Sequence, residues 1–426
     1  MYINHEQNRI IKITLLYFLI FTELNAHDEE INFHPSSAQE AIRNMTVWTE
    51  AENNNIVDGV KCMCEDAKVT GELRSMYSTS DYKNADNISA LAVGGVLKYE
   101  LFPYYGLNAA IAVRTSKDGI HKSDELSSST GDYTAVSEAY INYSFHNLEF
   151  RFGRQILNTP LADGDDKRMV PNTFEAYIAA YKLDDFSFML GHFNRWQGFS
   201  AGLDEGWVST GEQGTNFLGT SFDGASTGMN FWFYNINDRE NSTIANNSFY
   251  IDFKKHFHLY PHIQLDVGTQ YLRQEEQTKS GISSQIYGFE TGLNIDALGI
   301  YIAYNKALKK ANKQSFSGFG GGTLFTNMDS MILDVITEDR EAKSWVTGLT
   351  YKRNNFDFLY AYGQFIGAVN GNGTKEFITE HNIALKYVYN QHSSLAIVYA
   401  KEYDRENTLS NGGTWDNIRI LLSYLF

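Results

Sequence analysis

From Val69 to the last residue the chain alternates apolar and polar side chains with a period of two, and the alternating stretches are joined by short and long polar connectors in turn. The final stretch is the clearest. Ile418, Ile420, Leu422, Tyr424 and Phe426 share one face, while Asn417, Arg419 and Ser423 share the other. Ala139, Ile141, Tyr143 and Phe145 oppose Glu138, Tyr140, Asn142 and Ser144 in the same way. A period of two is the signature of strands, and a strand with one greasy and one charged face needs either a wet outer surface or a wet interior.

The connectors decide between the two. Short turns fall at His146-Asn147, Leu183-Asp184-Asp185, Asp223-Gly224-Ala225, Phe257–Tyr260, Asp296-Ala297-Leu298, Arg353-Asn354-Asn355 and Asn390–Ser393. Between them lie long polar segments at 157–172, 197–214, 237–245, 274–282, 309–341, 368–377 and 404–414. A soluble sandwich has no reason to keep that strict alternation, whereas hairpins that cross a membrane have tight turns at one face and long loops at the other. Strands are expected at 67–79, 88–101, 106–116, 132–145, 147–156, 173–183, 185–196, 215–223, 226–236, 246–255, 261–273, 284–295, 299–308, 342–352, 356–367, 378–390, 393–403 and 415–426. The fold class that follows is all-β: a transmembrane antiparallel barrel of 18 strands, over residues 67–426, with both barrel ends on the tight-turn side. Such a barrel is wide enough to leave an aqueous channel.

Composition supports this reading. Aromatic residues make up 14% of the chain, prolines number only 5, mean hydropathy is −0.35, and outside the N-terminus no apolar run approaches the ~18 residues of a helical span. Pro103, Pro160, Pro171 and Pro261 fall in turns, loops or strand ends, where no ladder loses a donor. A formal charge of −16 argues against a nucleic-acid partner. No phosphate loop, dinucleotide fingerprint or His-Glu-x-x-His motif is present, so neither a cofactor nor an enzymatic activity is expected. His256, His258 and His262 flank one turn, but strand parity cannot aim all three at one metal ion.

The N-terminus reads as an address. Arg9 and Lys12 precede the apolar run Ile13–Phe21, and Ala26 offers a small residue for cleavage, the layout of a signal peptide over residues 1–26. Residues 27–66 form a periplasmic leader with a short helix expected from Ser36 to about Glu52, followed by Cys62 and Cys64. Two cysteines one residue apart form a strained ring if bridged. At the other end Tyr424 and a final Phe426 resemble the terminal-strand signal that outer-membrane barrels present to their assembly machinery.

The connector Leu157–Asn172 carries two prolines and five charges within six positions, Asp163, Asp165, Asp166, Lys167 and Arg168. Folded inward, it would constrict the channel and set a transverse field on a passing solute. A calcium site on its three aspartates is opposed by the lysine and arginine that follow. The stretch Arg151-Phe152-Gly153-Arg154-Gln155, with Pro160-Leu161, Asp165-Asp166-Lys167-Arg168-Met169 and Pro171-Asn172-Thr173-Phe174-Glu175, resembles the OprD-type porins, especially their epsilonproteobacterial branch. The Gly-rich segment Ser317–Gly322 resembles their seventh loop. Two features depart from the pattern: Ala176 stands where glycine is expected, and no arginine ladder is recognisable. The resemblance implies a passive channel for small hydrophilic solutes (ions, amino acids, small carboxylates) in the outer membrane of a Gram-negative bacterium, constricted by loops three and seven.

Strand parity places Arg114, Arg151, Lys254, Lys386 and Arg419 in the lumen, against Glu72, Glu138, Glu149, Asp252, Asp266, Glu290 and Glu380. That acidic excess implies a mild cation preference. Arg154 falls on the outward face. Expected partners are outer-membrane lipid and lipopolysaccharide, the barrel assembly machinery and small solutes, with monomer and homotrimer both open. The alternative function is a barrel that anchors surface loops for adhesion, for which the 33-residue connector 309–341 is long enough.

Overall fold

The computed structural model describes residues 67–426 apart from 84, 121–125, 127–131, 238–242, 321 and 407–413. The expected signal peptide, the leader and Cys62 and Cys64 lie outside the described residues.

Eighteen strands form one closed antiparallel sheet, each paired with its neighbours in the chain. They are β1 (Lys68–Tyr82), β2 (Ile88–Glu100), β3 (Leu107–Ile120), β4 (Asp132–Phe145), β5 (Leu148–Gln155), β6 (Thr173–Leu183), β7 (Phe186–Gln197), β8 (Thr215–Gly224) and β9 (Thr227–Ile236). The second half comprises β10 (Asn246–Tyr260), β11 (Ile263–Glu276), β12 (Ser284–Ile295), β13 (Leu298–Ala307), β14 (Ala342–Arg353), β15 (Phe356–Gly367), β16 (Glu376–Asn390), β17 (Ser393–Asp404) and β18 (Thr414–Leu425). Each expected strand corresponds to one of these, with ends shifted by a few residues. A two-residue piece, Val208–Ser209, extends the sheet only at the end of β7.

Local chemistry explains the tight turns. Asp184, Asp296 and Asn354 adopt left-handed backbone at the first turn position, with φ of 49°, 49° and 53°. Aspartate and asparagine tolerate that region better than other side chains. The ring closes where β1 meets β18, in a register running from Glu72 opposite Leu425 to Tyr82 opposite Trp415. Phe426 extends the seam by exchanging two 3.0 Å backbone hydrogen bonds with Gly71. Its ring lies where a side chain of Gly71 would be, since a Cβ there would come within 2.2 Å of the ring. A larger residue there would displace the Phe426 ring.

Parity sorts the two faces as the sequence implies. Val69, Leu73, Leu97, Ile141, Leu190, Ile300 and Leu422 are exposed on the outer face, and aromatics such as Phe152, Tyr177 and Tyr424 share it. An apolar surface that encircles the molecule is far larger than the patches soluble proteins expose, and it matches the hydrocarbon-facing band of a membrane barrel. The inner positions are mostly buried, because long loops fill part of the interior. Phe174, Phe193, Trp196, Tyr234 and Phe319 are among the large aromatics of that core, with Phe319 reaching it from a loop.

Candidate functional site

Two loops enter the barrel and meet there. Loop 3 (156–172) follows β5, and loop 7 (308–341) follows β13. Loop 3 forms a two-residue hairpin, Asn158–Thr159 against Ala162–Asp163. It then bridges to loop 7: the Asp163 N–H donates to the Phe319 carbonyl at 3.1 Å and the Phe319 N–H to the Leu161 carbonyl at 2.8 Å. Gly318 and Gly320 permit this contact. Their φ values are +97° and +84°, and a Cβ on either would come within 2.7 Å of loop 3 backbone. The sequence Gly318-Phe319-Gly320 is therefore a docking surface for loop 3.

The five charges of loop 3 are all engaged. The Asp166 carboxylate accepts from Arg74 of β1 at 2.5 and 2.9 Å and lies 3.9 Å from Arg114 of β3. Burial alone would raise its pKa, but the adjoining Arg74 and then Arg114 hold it below the ordinary 3.8. Arg74 also donates to the Arg168 carbonyl at 2.7 Å and to Glu72 at 2.7 Å. Arg168 lays its guanidinium over the Phe199 ring, 3.9 Å from the centroid. Asp163 accepts the Asp165 N–H at 2.7 Å, and Asp165 faces Lys167 at 3.5 Å. The three aspartates thus point to different partners.

Lys167 carries the network into loop 7 by donating to the Asp329 carbonyl at 3.4 Å. The Asp329 carboxylate pairs with Arg419 of β18 at 2.5 Å, both side chains almost wholly buried. Here too burial would push the carboxyl up, but Arg419 and Lys167 hold it below 3.8. Glu380 of β16 accepts the N–H groups of Ser330 and Met331 at 3.1 and 2.7 Å. Of the expected lumen charges, Arg114, Glu380 and Arg419 therefore converge with loop 3 on one wall, formed by β16, β18, β1 and β3.

The other expected lumen residues lie elsewhere. Glu138 pairs with Lys98 of β2 at 3.3 Å. Arg151 sits near the tight turn, paired with Glu149 at 2.7 Å and stacked on Tyr140. On the opposite wall Asp266 meets His256 at 2.6 Å and Asn294 at 2.5 Å, and Glu290 faces Lys254 at 3.7 Å. By strand count β2 and β11 are diametrically opposed, so the guanidiniums of β18, β1 and β3 lie on the half of the barrel opposite Asp252, Asp266 and Glu290. Lys386 lies on the lumen face of β16. Tyr424 and Phe426 point outward. The described residues gather no group of three metal-ligating side chains, and the histidines at the β10–β11 turn part company, with His256 turned inward to Asp266.

Arg114 has a distinctive environment. It is only 5% exposed, yet its Nε and Nη1 have no hydrogen-bond partner among the described residues. Natural structures seldom leave a buried guanidinium so incompletely bonded. It stands beside Asp166, whose carboxylate is occupied by Arg74, at the point where loop 3 approaches the wall. Sequence reasoning missed Arg74 and Asp329. Arg74 shares the parity of Glu72 and was available by the same rule; Asp329 had no signal, because nothing in a loop's sequence says that it will enter the barrel.

Solved structures with this architecture exist. The chain superposes on Acinetobacter baumannii OccAB4 with a TM-score of 0.71 and 14% identity, over 84% of this chain and 98% of that one. This is the fold of the OprD/Occ porins. Pseudomonas aeruginosa OpdK, solved with vanillate, superposes on the barrel with a TM-score of 0.70 and 17% identity, over 85% of this chain and 99% of that one. A. baumannii OccAB2 gives 0.72 and 13% over 86% and 99%. No protein-family model matches the sequence, and no curated protein matches it. At such identities the likeness to the Occ porins is one of fold.

Proposed function

We propose that this chain is an outer-membrane porin whose channel passes small hydrophilic solutes by diffusion and favours those that carry a carboxylate, amino acids included. Arg114 carries the reading: a buried guanidinium beside the loop 3 constriction, with two nitrogens that make no hydrogen bond among the described residues, is matched to a planar anion. Asp252, Asp266 and Glu290 across the lumen offer the complementary charge to an ammonium group, so a zwitterion would be oriented on passage. The apolar outer face, the fold of the Occ porins and the vanillate bound to OpdK, itself a carboxylate, support the same conclusion. For inorganic ions the acidic excess of the lumen gives a mild cation preference.

Reconstitution tests this directly. The protein should give discrete ohmic steps in planar bilayers, whereas a sealed bilayer with folded protein would favour the adhesive anchor. Proteoliposome swelling should be faster in amino acids and small carboxylates than in neutral sugars of equal size, and Arg114→Gln should erase that difference while sparing sugar flux. A reversal potential of anion-selective sign would overturn the cation preference.

A further inference from the structure

One cation cluster lies outside the channel. Arg154 of β5, Glu175 of β6 and Arg195 of β7 share the outward face at the long-loop end of their strands, and Trp207 of the β7–β8 connector folds over them. The Trp207 ring centroid lies 5.0 Å from the Arg154 guanidinium and 5.4 Å from that of Arg195. Glu175 stands in register with both arginines, yet its carboxylate turns to Arg195, accepting at 2.7 and 3.0 Å. Arg154 makes no ion pair among the described residues, and its guanidinium lies over the indole.

The level of the cluster matters as much as its charge. Phe152 and Tyr177 lie two residues below Arg154 and Glu175 on the same outward faces and are 45% and 48% exposed. Two residues of strand are about 7 Å, so Arg154 sits just above the top of the apolar band, at headgroup depth. A guanidinium set over an indole, with no ion pair among the described residues and on the outward face, fits a phosphate through its planar fork. His192, hydrogen-bonded to Asn216 at 2.8 Å and to Asn194 at 2.7 Å, adds further polar side chains beside Arg195.

We infer that Arg154 and Trp207 form a docking site on the outside of the barrel for a phosphate of the phosphorylated glycolipid that fills the outer leaflet. The inference rests on the outer-membrane reading. It is distinct from the channel, since none of these side chains faces the lumen.

The test uses the purified full chain in detergent, titrated with diphosphoryl lipid A, dephosphorylated lipid A and phosphatidylglycerol and read by native mass spectrometry. Diphosphoryl lipid A should bind preferentially, and Arg154→Gln should weaken it about tenfold, the loss typical of one charge-assisted hydrogen bond. Trp207→Leu should weaken it as well, and it carries the test if the arginine variant misfolds. Both variants should keep wild-type conductance. Equal binding by Arg154→Gln and the unsubstituted protein, or equal binding of the dephosphorylated lipid or of phosphatidylglycerol, would overturn the site. Absence of conductance in the unsubstituted protein would instead count against the channel while leaving the lipid result standing.

Discussion

Loops 3 and 7 meet inside the same barrel but are held there by different chemistry. Loop 3 is held largely by charge: Asp166 on Arg74 and Arg114, and Lys167 beside Asp165. Loop 7 is held over most of its length by neutral amides that act as a substitute strand. Gln274 of β11 donates to the Phe316 carbonyl and accepts its N–H, both at 2.8 Å. Gln270 does the same for the Thr323 carbonyl and the Phe325 N–H, at 3.0 and 2.7 Å. Asn305 accepts the Thr326 N–H at 3.0 Å and Asn382 that of Asp329 at 3.0 Å. A side-chain amide offers the same donor and acceptor as a peptide and does not titrate. The two loops should therefore respond differently to acid, and the point where the schemes join should be the most sensitive.

That point is Asp329. Asp329→Ala would leave Arg419 buried without its counter-ion and remove the charge beside Lys167, and should cost about 3–5 kcal/mol. The loss should be measurable as a lower urea midpoint for barrel unfolding and as noisier open-channel current. A cost near zero would mean that the amides alone fix loop 7. Gln274→Ala tests those amides by stranding the Phe316 peptide, with an expected cost of about 1–3 kcal/mol. That cost should be the same at pH 7 and pH 4; a strong pH dependence would show that charge, not amide pairing, seats the loop.

Acid separates the loops without mutation. Asp166 and Asp329 both have pKa values held below 3.8 in the folded protein, so their contribution is complete above that value and fades as pH falls through the lower folded values. Asp334, in the short helical turn Leu333–Ile336 of loop 7, behaves in the opposite sense. Burial raises its pKa above 3.8, against a smaller opposing effect from Ser315, and its Oδ1 has no hydrogen-bond partner among the described residues. The cost of burying that charge is present at neutral pH and is relieved as pH falls through the raised value. Single-channel recording from pH 7 to pH 2.5 should show quieter current first and new substates only once the pH is below the ordinary carboxylate range. Substates appearing at pH 5 would break the comparison. The smallest effect follows from the same residue: Asp334→Asn should stabilise the protein at pH 7 by about 1 kcal/mol and do nothing at pH 3, as read from paired urea midpoints.

The contrast also explains what the sequence could tell. Strand parity needs only local periodicity, so the barrel and the lumen-face parity of Arg114, Asp266, Glu290 and Arg419 were legible, whereas the seam of Phe426 on Gly71 was not. The density of charge in loop 3 marked it as unusual. Gln270, Gln274 and Asn305 carried no such mark, because polar amides on a lumen face look the same whether they meet water or a docked loop. Even for loop 3 the reading gave residues but not partners. Asp163, Asp165 and Lys167 stand as a field across an open eyelet in the sequence, whereas in the fold they are buried and face one another or loop 7. Pairings between distant segments are set by tertiary packing, which periodicity does not encode.

The seating of Phe426 on Gly71 has a consequence for how the molecule is made. Every other strand pair is a hairpin that can form as soon as its two halves exist, but this seam joins partners separated by the whole length of the barrel. Contacts of such sequence separation are the slowest to form. Until the seam closes, the sheet has two free edges, each a row of unsatisfied donors and acceptors that could recruit a neighbouring molecule. The last few residues thus act as a fastener, and the period before they engage is when an assembling chain most needs protection from its own kind.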